Sequence, residues 1–593
     1  AVITGNFKPE EAQALARDLN TGAIPAPVVL SGQYTIGATL GEEALNTSLR
    51  AGLIGIIILT LFMVFYYRLP GLVAMITLGI YTSILLFMIK SQMPLPYALG
   101  IAILVFIAII YQILRSREGG WEKLITFILA CFVLFFVTFL LSNAITLTLA
   151  GVAGVILSIG MAVDANILIF ERTKEELRSG RPLSSAVDVG FDRAWSSIRD
   201  SNFSSLITCG ILFYFGTSII QGFAFNLAAG ILISMFTAIT ITKTLLNAIM
   251  HTKLSEKLWI WGLEHGAVEN KTYHIVEKNK TWFTLSGTLV GISFLALVIF
   301  GLKFGIDFKG GTLLDITFEK QVTVDEIKAE LKNMQDVLNS STSGSKSTPA
   351  KGTALESGEK TLELGSSRVV EAGEKQFILN LEHIDNATHD KIIENFQKRF
   401  GNLTENRFTT IGPVVGETLK KRAVLAVIIA MAMIVLYVAF AFRKVPKKVS
   451  PWKFGVCAIV ALIHDVLIPV GIFAIFRLEV DALFITAILT VLGFSVHDTI
   501  VVFDRIRENL KYQERDESFA HVANKSMTQT MARSINTSLT TLITLTALLL
   551  LGSASIFNFI LVLVIGIVVG TYSSIFIASP LLVLWLKKEQ ENI

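Results

Sequence analysis

Gly160-Met-Ala-Val-Asp164-Ala-Asn166-Ile-Leu-Ile-Phe170-Glu-Arg172 recurs 333 residues later as Gly493-Phe-Ser-Val-His497-Asp498-Thr499-Ile-Val-Val-Phe503-Asp-Arg505. Ser204-Ser-Leu-Ile-Thr208 recurs as Thr540-Thr-Leu-Ile-Thr544, and Gly230 as Gly566, both at an offset of 336. The chain is therefore an internal duplication. Each copy of the first stretch is apolar up to a charged end, so each reads as a membrane helix, and both run in the same direction. In transporters built from such parallel repeats, substrate and ion sites lie at the repeat interface near mid-membrane.

Composition agrees. Of 593 residues, 52% are hydrophobic and 17% charged, with a mean hydropathy of +0.62, against roughly 45–50% and 25% in soluble domains. A hydrocarbon core of about 30 Å needs about 20 apolar residues per helix. Thirteen stretches meet that length, near 49–67, 71–89, 97–114, 122–142, 145–169, 196–218 and 221–247, then 281–303, 418–442, 452–476, 481–503, 532–552 and 557–585. Basic residues mark alternate loops: Arg115, Arg117 and Lys123; Arg172, Lys174, Arg178 and Arg181; Arg443, Lys444, Lys447 and Lys448; Arg505 and Arg507. The positive-inside bias predicts that these are cytoplasmic. The other short loops carry little beyond Lys90 and Arg477, which predicts an outside N-terminus, an outside 304–417 insert and an inside C-terminus with Lys587 and Lys588. Cys131, Cys209 and Cys457 all lie in apolar runs, which excludes a disulfide framework or a CxxC site. The chain opens at Ala1 without a basic and apolar leader and reads as an N-terminally truncated fragment.

The expected organisation is a polytopic α-helical membrane protein of two parallel pseudo-repeats with an α+β ferredoxin-like extracytoplasmic domain. Residues 1–48, with a helix at Pro9–Leu19 and a strand at Val28–Thr35, read as the remnant of a second extracytoplasmic domain. A first membrane half of about seven spans covers 49–250, a cytoplasmic linker 251–280, one span 281–303, the insert 304–417, and a second half of about five spans 418–593. Within the insert, strands near 312–318, 361–370, 376–382 and 405–412 alternate with helices at 323–338 and 387–400 in the order βαββαβ. Residues 339–360, rich in Ser, Thr, Gly and Lys, are expected to form a mobile loop.

Asp164 and Asp498 each stand about two turns, or 10 Å, from the charged end of an apolar span. A carboxylate at that depth costs several kcal/mol unless paired, and such groups commonly serve proton relays. Their one-residue shift between the copies turns one side chain by about 100° relative to the other, so the two sites differ in geometry. Arg533, on the next span, reads either as the partner of Asp498 or as an anchor at the cytoplasmic edge. Asp465, His497, Asp200 and Asn202 form a secondary group, relay or structural polar, with His464 or another polar side chain as the partner of Asp465. Asp200 and Asn202, near an expected helix start, read as capping or interhelix hydrogen bonds. The adjacent pairs His464-Asp465 and His497-Asp498 point about 100° apart, which makes either dipeptide a poor chelator, so no metal or cofactor is expected. No GxxxxGK[ST], GxSxG or HExxH occurs, so no ATPase or other enzyme is expected; without GxGD, an aspartyl protease using Asp164 and Asp498 is disfavoured.

Gly160 to Leu177, Gly493 to Leu510 and Gly305-Ile-Asp-Phe-Lys-Gly-Gly-Thr312 together resemble the SecD and SecF protein-export subunits of the RND superfamily, joined as in the single-chain SecDF form. The resemblance covers Thr4 to Val28 as the base of a periplasmic domain, Leu49 to Ile249 as the SecD membrane half, and Thr281 onward as SecF. It implies a bacterial inner-membrane protein that uses the proton motive force to help the SecY/SecE/SecG translocon move and release preproteins, with lipid as surroundings and no nucleic-acid partner. By motif position the resemblance implies that the family's essential charges, its proton relay, carry over to Asp164, Asp498 and Arg533. The span pair at 97–142 is additional to the family pattern. The alternatives are an RND-type exporter of lipid or small molecules, which usually carries large paired porter domains, and a passive translocon scaffold.

Overall fold

The computed structural model describes residues 32–36, 38–90, 94–115, 147–252, 257–262, 272–342, 368–373, 375–443, 450–513 and 517–590, with 131, 134 and 138. The helix expected at Pro9–Leu19, most of the span at 122–142, Arg117, Lys123, Lys444, Lys447, Lys448 and residues 343–360 lie outside the described residues. The chain divides into two compact units, one of residues 1–37 and 309–417, the other of 38–308 and 418–593.

The larger unit is a helical bundle. Its first half contains α1 (Ala38–Tyr67), α2 (Leu69–Lys90), α3 (Leu95–Arg115), α4 (Leu149–Ala162), α5 (Asp164–Arg178), α6 (Leu183–Phe215) and α7 (Ser218–Met250). After α8 (Asn279–Phe300), the second half contains α11 (Pro413–Ala441), α12 (Pro451–Ile475), α13 (Ala482–Leu510), α14 (Phe519–Leu551) and α15 (Ala554–Leu586), with α9 and α10 in the smaller unit. Ten helices among the described residues are long and apolar enough to cross a bilayer, counting α4 and α5 as one. Along its most apolar stretch, that α4–α5 span is 89% buried and α13 is 83% buried, against 17% for α8. The two repeat helices are thus the centre of the bundle. Helix α6 begins at Leu183, well before the span expected from 196, so Asp200 and Asn202 lie mid-helix and cap nothing.

Packing repeats with the sequence. A Cβ on Gly230 would sit 2.3 Å from Ser158 Cβ, and one on Gly566 would sit 2.2 Å from Val491 Cγ2. Ser158 and Val491 are themselves 333 residues apart. Only a residue without a side chain allows this approach of two helix backbones, the usual way apolar helices gain contact in lipid. Helices α7 and α15 each contain a π-helical turn, at Thr237–Thr242 and Ser574–Ala578, in matching places.

The smaller unit has a five-stranded antiparallel sheet in the order β1-β6-β3-β5-β4, made of Gly32–Ile36 (β1), Gly311–Phe318 (β3), Arg368–Gly373 (β4), Gln376–Leu381 (β5) and Leu403–Ile411 (β6). Strands β3 to β6, with α9 (Val324–Thr342) and α10 (Asn386–Phe400), form the expected βαββαβ unit. Leu314, Ile316, Phe318, Phe377, Leu379 and Phe396 are among its buried core. One expectation changes. Residues 339–342 continue α9 and are not loop, and the described part of the N-terminal strand, Gly32–Ile36, pairs with β6 as the fifth strand of this sheet. A two-residue parallel ladder, β2 (Lys303–Phe304) with β7 (Glu479–Val480), sits in the larger unit just ahead of α13.

Candidate proton site at the repeat interface

Residues 333 apart occupy equivalent places in α5 and α13, so the counterpart of Asp164 is His497, while that of Asp498 is Ala165. These equivalent side chains meet: His497 Nε2 lies 2.7 Å from Asp164 Oδ2, both largely buried. The separation is that of an ion pair, but the ring N–H is not aligned for a hydrogen bond, and Asp164 Oδ1 has no hydrogen-bond partner among the described residues. Asp498 Oδ2 accepts from Ser538 Oγ and Thr571 Oγ1, each at 3.2 Å, and those two hydroxyls contact each other. Asp164, His497, Asp498, Ser495, Ser538 and Thr571 line one cavity of about 20 Å³, enough for a single water molecule. The α4–α5 span is interrupted at Val163, immediately before Asp164, whereas α13 runs unbroken past Asp498.

Arg533 does not pair with Asp498. Arg533 is 2% exposed, and all three of its side-chain nitrogens lack a hydrogen-bond partner among the described residues. The charges that act on it belong to Arg172, Glu175, Arg505 and Glu171, at the charged ends of the repeat helices. Arg533 also acts on His497. Of the two sequence readings, partner of Asp498 or anchor at the cytoplasmic edge, the one chosen depends on how α14 sits along its neighbours, which span boundaries alone do not reveal.

Those charged ends form a ring of ion pairs that no reading of hydropathy or isolated charge picks out. Arg172 lies 3.0 Å from Glu175 of its own repeat and 3.0 Å from Glu508 of the other. Arg505 lies 2.8 Å from its own Glu508 and 3.1 Å from Glu175. Each arginine thus holds one carboxylate from each repeat. Arg193 adds a bond to Glu508 at 2.9 Å, and its counterpart 336 residues later, Gln529, accepts from Arg505 Nε at 2.7 Å. The signal was present, since Arg172, Glu175, Arg505 and Glu508 obey the same offset of 333.

Of the secondary residues, Asn202 donates to Ile198 O within its own helix at 2.8 Å. Asp200 accepts from Arg199 Nε at 3.0 Å and faces Tyr437 Oη on α11 at 3.5 Å. Its counterpart Asn536 donates to Tyr67 Oη on α1 at 3.1 Å, so this tyrosine contact is also duplicated. Asp465 is fully buried and lies 2.8 Å from His464 Nδ1, as the adjacent-residue reading allowed. It also accepts from Ser573 Oγ at 2.7 Å and from Ser495 Oγ.

One further feature leads from the site toward the smaller unit. Asp307 Oδ2 accepts from the Ala482 N–H at 2.9 Å, joining Asp481 in capping the first turn of α13. Lys303 Nζ lies 2.5 Å from Glu479, across the β2–β7 ladder. Gly310 (φ +74°) and Gly311 (φ +130°) then turn the chain into β3, and a Cβ on Gly310 would lie 2.7 Å from Pro413 Cα. Both positions favour glycine for its backbone freedom.

Comparison with known families matches residues 391–588 to the model described as "Protein export membrane protein SecD/SecF, C-terminal", residues 295–322 to the SecD/SecF GG motif, and residues 97–290 to the MMPL family. Protein translocase subunit SecDF of Bacillus subtilis is 33% identical over 605 residues, covering 99% of this chain and 70% of that protein. The SecDF subunit of Thermus thermophilus is 31% identical over 594 residues, covering 100% of this chain and 68% of that protein. Among solved structures, the crystal structure of SecDF from Thermus thermophilus, titled a translocon-associated membrane protein, matches with a TM-score of 0.73 at 30% identity, covering 99% of this chain and 68% of that one.

Proposed function

The chain belongs to the SecDF family of protein-translocase subunits, and on that premise we propose that it couples inward proton movement to preprotein translocation and release at the Sec translocon. In this reading it is a multi-pass protein of the bacterial cytoplasmic membrane, with the 304–417 domain outside and the C-terminus inside. It associates with SecY/SecE/SecG and is not an enzyme. The observation that carries the reading is the buried meeting of Asp164, His497 and Asp498 around one small cavity on the interface between duplicated halves.

A carboxylate buried beside a cavity and an imidazole is poised to change charge when a proton arrives. Protonation of Asp164 removes its attraction to His497, the contact that joins α5 to α13 in the middle of the bundle. Protonation of Asp498 leaves its bonds to Ser538 and Thr571 with a neutral acceptor. Arg533, lacking a bonded counter-charge, favours states in which a carboxylate nearby is ionised. Each proton therefore changes the relative stability of two arrangements of the halves, and a proton drives the change only by that difference. The shift leaves along α13, whose first turn is tied through Asp307 to the segment that enters the 304–417 domain.

The test is export of a partly translocated preprotein in membrane vesicles after ATP is exhausted, driven by an imposed proton gradient. Asp164→Asn and Asp498→Asn should each abolish the gradient-dependent part at equal expression and equal translocon association. Parent-like export by both variants would make the carboxylates structural and the protein a scaffold, or an exporter of another substrate.

A further inference from the structure

Asp465 is fully buried in α12 and has no part in the relay described above. Its Oδ2 accepts from Ser495 on α13 and from Ser573 on α15, and its Oδ1 faces His464 Nδ1. Helix packing alone would need only neutral groups here, because burying a carboxylate costs far more than burying an amide of the same shape. The surroundings connect it to the site. Ser495 stands three residues before Asp498 on α13 and lines the same cavity. On α15, Thr571 bonds Asp498 and Ser573 bonds Asp465, two residues apart. Helix α15 thus supplies a hydroxyl donor to each acid, and α13, which carries Asp498, supplies Ser495 to Asp465.

A serine hydroxyl donates and accepts at once, so it can take a proton on one side and release one on the other. On the far side of Asp465, the buried Nε2 of His464 has no hydrogen-bond partner among the described residues, leaving the imidazole a free second nitrogen for proton exchange. Among the described residues the first half lacks this arrangement. There α2 carries no Asp or Glu, and its buried polar contacts join neutral hydroxyls: Tyr81 Oη donates to Ser158 Oγ at 2.8 Å and Thr77 Oγ1 accepts from Thr242 Oγ1 at 3.1 Å.

We propose that Asp465 is a second proton-carrying acid of this protein, exchanging protons with the Asp498 cavity through Ser495, with His464 as the next station. Among the described residues the branch exists in the second half alone, so protons reach or leave the interface from the side formed by α12, α13 and α15. This inference rests on the relay reading of Asp498 and adds a route to it.

The experiment measures gradient-driven proton uptake by the purified protein in sealed liposomes holding a pH-sensitive dye. Asp465→Asn keeps the shape and the acceptor for Ser495 and Ser573 but cannot carry a proton. It should lower uptake by about tenfold or more, with Asp465→Glu restoring part of the loss and Asp498→Asn abolishing uptake. Ser495→Ala, which cuts the link and leaves both acids, should also slow uptake. If Asp498→Asn stops uptake while Asp465→Asn and Ser495→Ala match the parent, the branch is refuted and the relay stands. If Asp498→Asn also matches the parent, the relay reading itself fails. An Asp465→Asn loss that Asp465→Glu does not relieve would assign the residue to packing and overturn the proposal.

Discussion

The ring of Arg172, Glu175, Arg505 and Glu508 is the part of the interface most open to quantitative test, through a double-mutant cycle on Arg172 and Glu508. At 3.0 Å and an effective dielectric near 20, one such contact carries about 5 kcal/mol of attraction, most of it offset by desolvation. Removing one partner of a buried pair costs about 3–5 kcal/mol when the other charge is stranded. Here neither carboxylate is stranded by Arg172→Gln, because Arg505 still holds both. The expected loss is therefore at the lower end, about 3 kcal/mol, and about 2 kcal/mol for Glu508→Gln, whose side chain is 22% exposed. Because both substitutions remove the same contact, the double variant should lose less than the sum, with a coupling of about 1–2 kcal/mol. The assay is reversible unfolding in mixed micelles. A parallel cycle on Lys398 and Glu394, an exposed i,i+4 pair on α10, should show far weaker coupling, since solvent screens it. Zero coupling in the Arg172–Glu508 cycle would refute the idea that the ring ties the repeats together.

Three further outcomes follow from the geometry. Gly566→Ala forces a methyl group against fully buried, β-branched Val491 and should destabilise by about 1–2 kcal/mol even after the gain in helix propensity; Gly79→Ala, with nothing within 4 Å, should be neutral or stabilising in the same melt. In the smaller unit, burial opposes the charge of His389, but the carboxylates of Glu405, 3.2 Å from Nε2, and Asp390, hydrogen-bonded to Nδ1, win and raise its pKa above the usual value. A raised folded pKa gives stability that is complete below about pH 6.5 and is lost as pH rises through the folded value. The stability difference between the parent and His389→Gln should therefore shrink from about pH 6 to about pH 8, and a constant or growing difference would contradict the assignment. Asp307→Ala removes a cap from α13 and should lower gradient-driven export while leaving proton uptake intact, whereas equal loss of both would place Asp307 in the proton path.

The sequence revealed most of the architecture because bilayer helices must be long, apolar and internally hydrogen-bonded, and because the offset of 333 exposed the duplication. It also named Asp164 and Asp498, since an isolated carboxylate in an apolar run is conspicuous. It gives His497 less prominence, because the acids are shifted by one residue between the copies and the residue that corresponds to Asp164 is a histidine. The placement of Arg533 depends on how far α14 slides along its neighbours, which hydropathy does not encode. Helix α6 was shortened for a related reason: its first half is polar and buried against protein, so an apolar window finds only its second half. The pairing of Gly32–Ile36 with β6 joins segments far apart in the chain, and no local pattern announces such a partner.

Infrared difference spectroscopy of the reconstituted protein across a pH step reads directly whether Asp498 gains and loses a proton in the working protein. The parent should show a carbonyl band of protonated carboxylic acid, with one component missing in Asp498→Asn. A difference spectrum in which Asp498→Asn keeps every component of the parent's band would contradict proton exchange at Asp498.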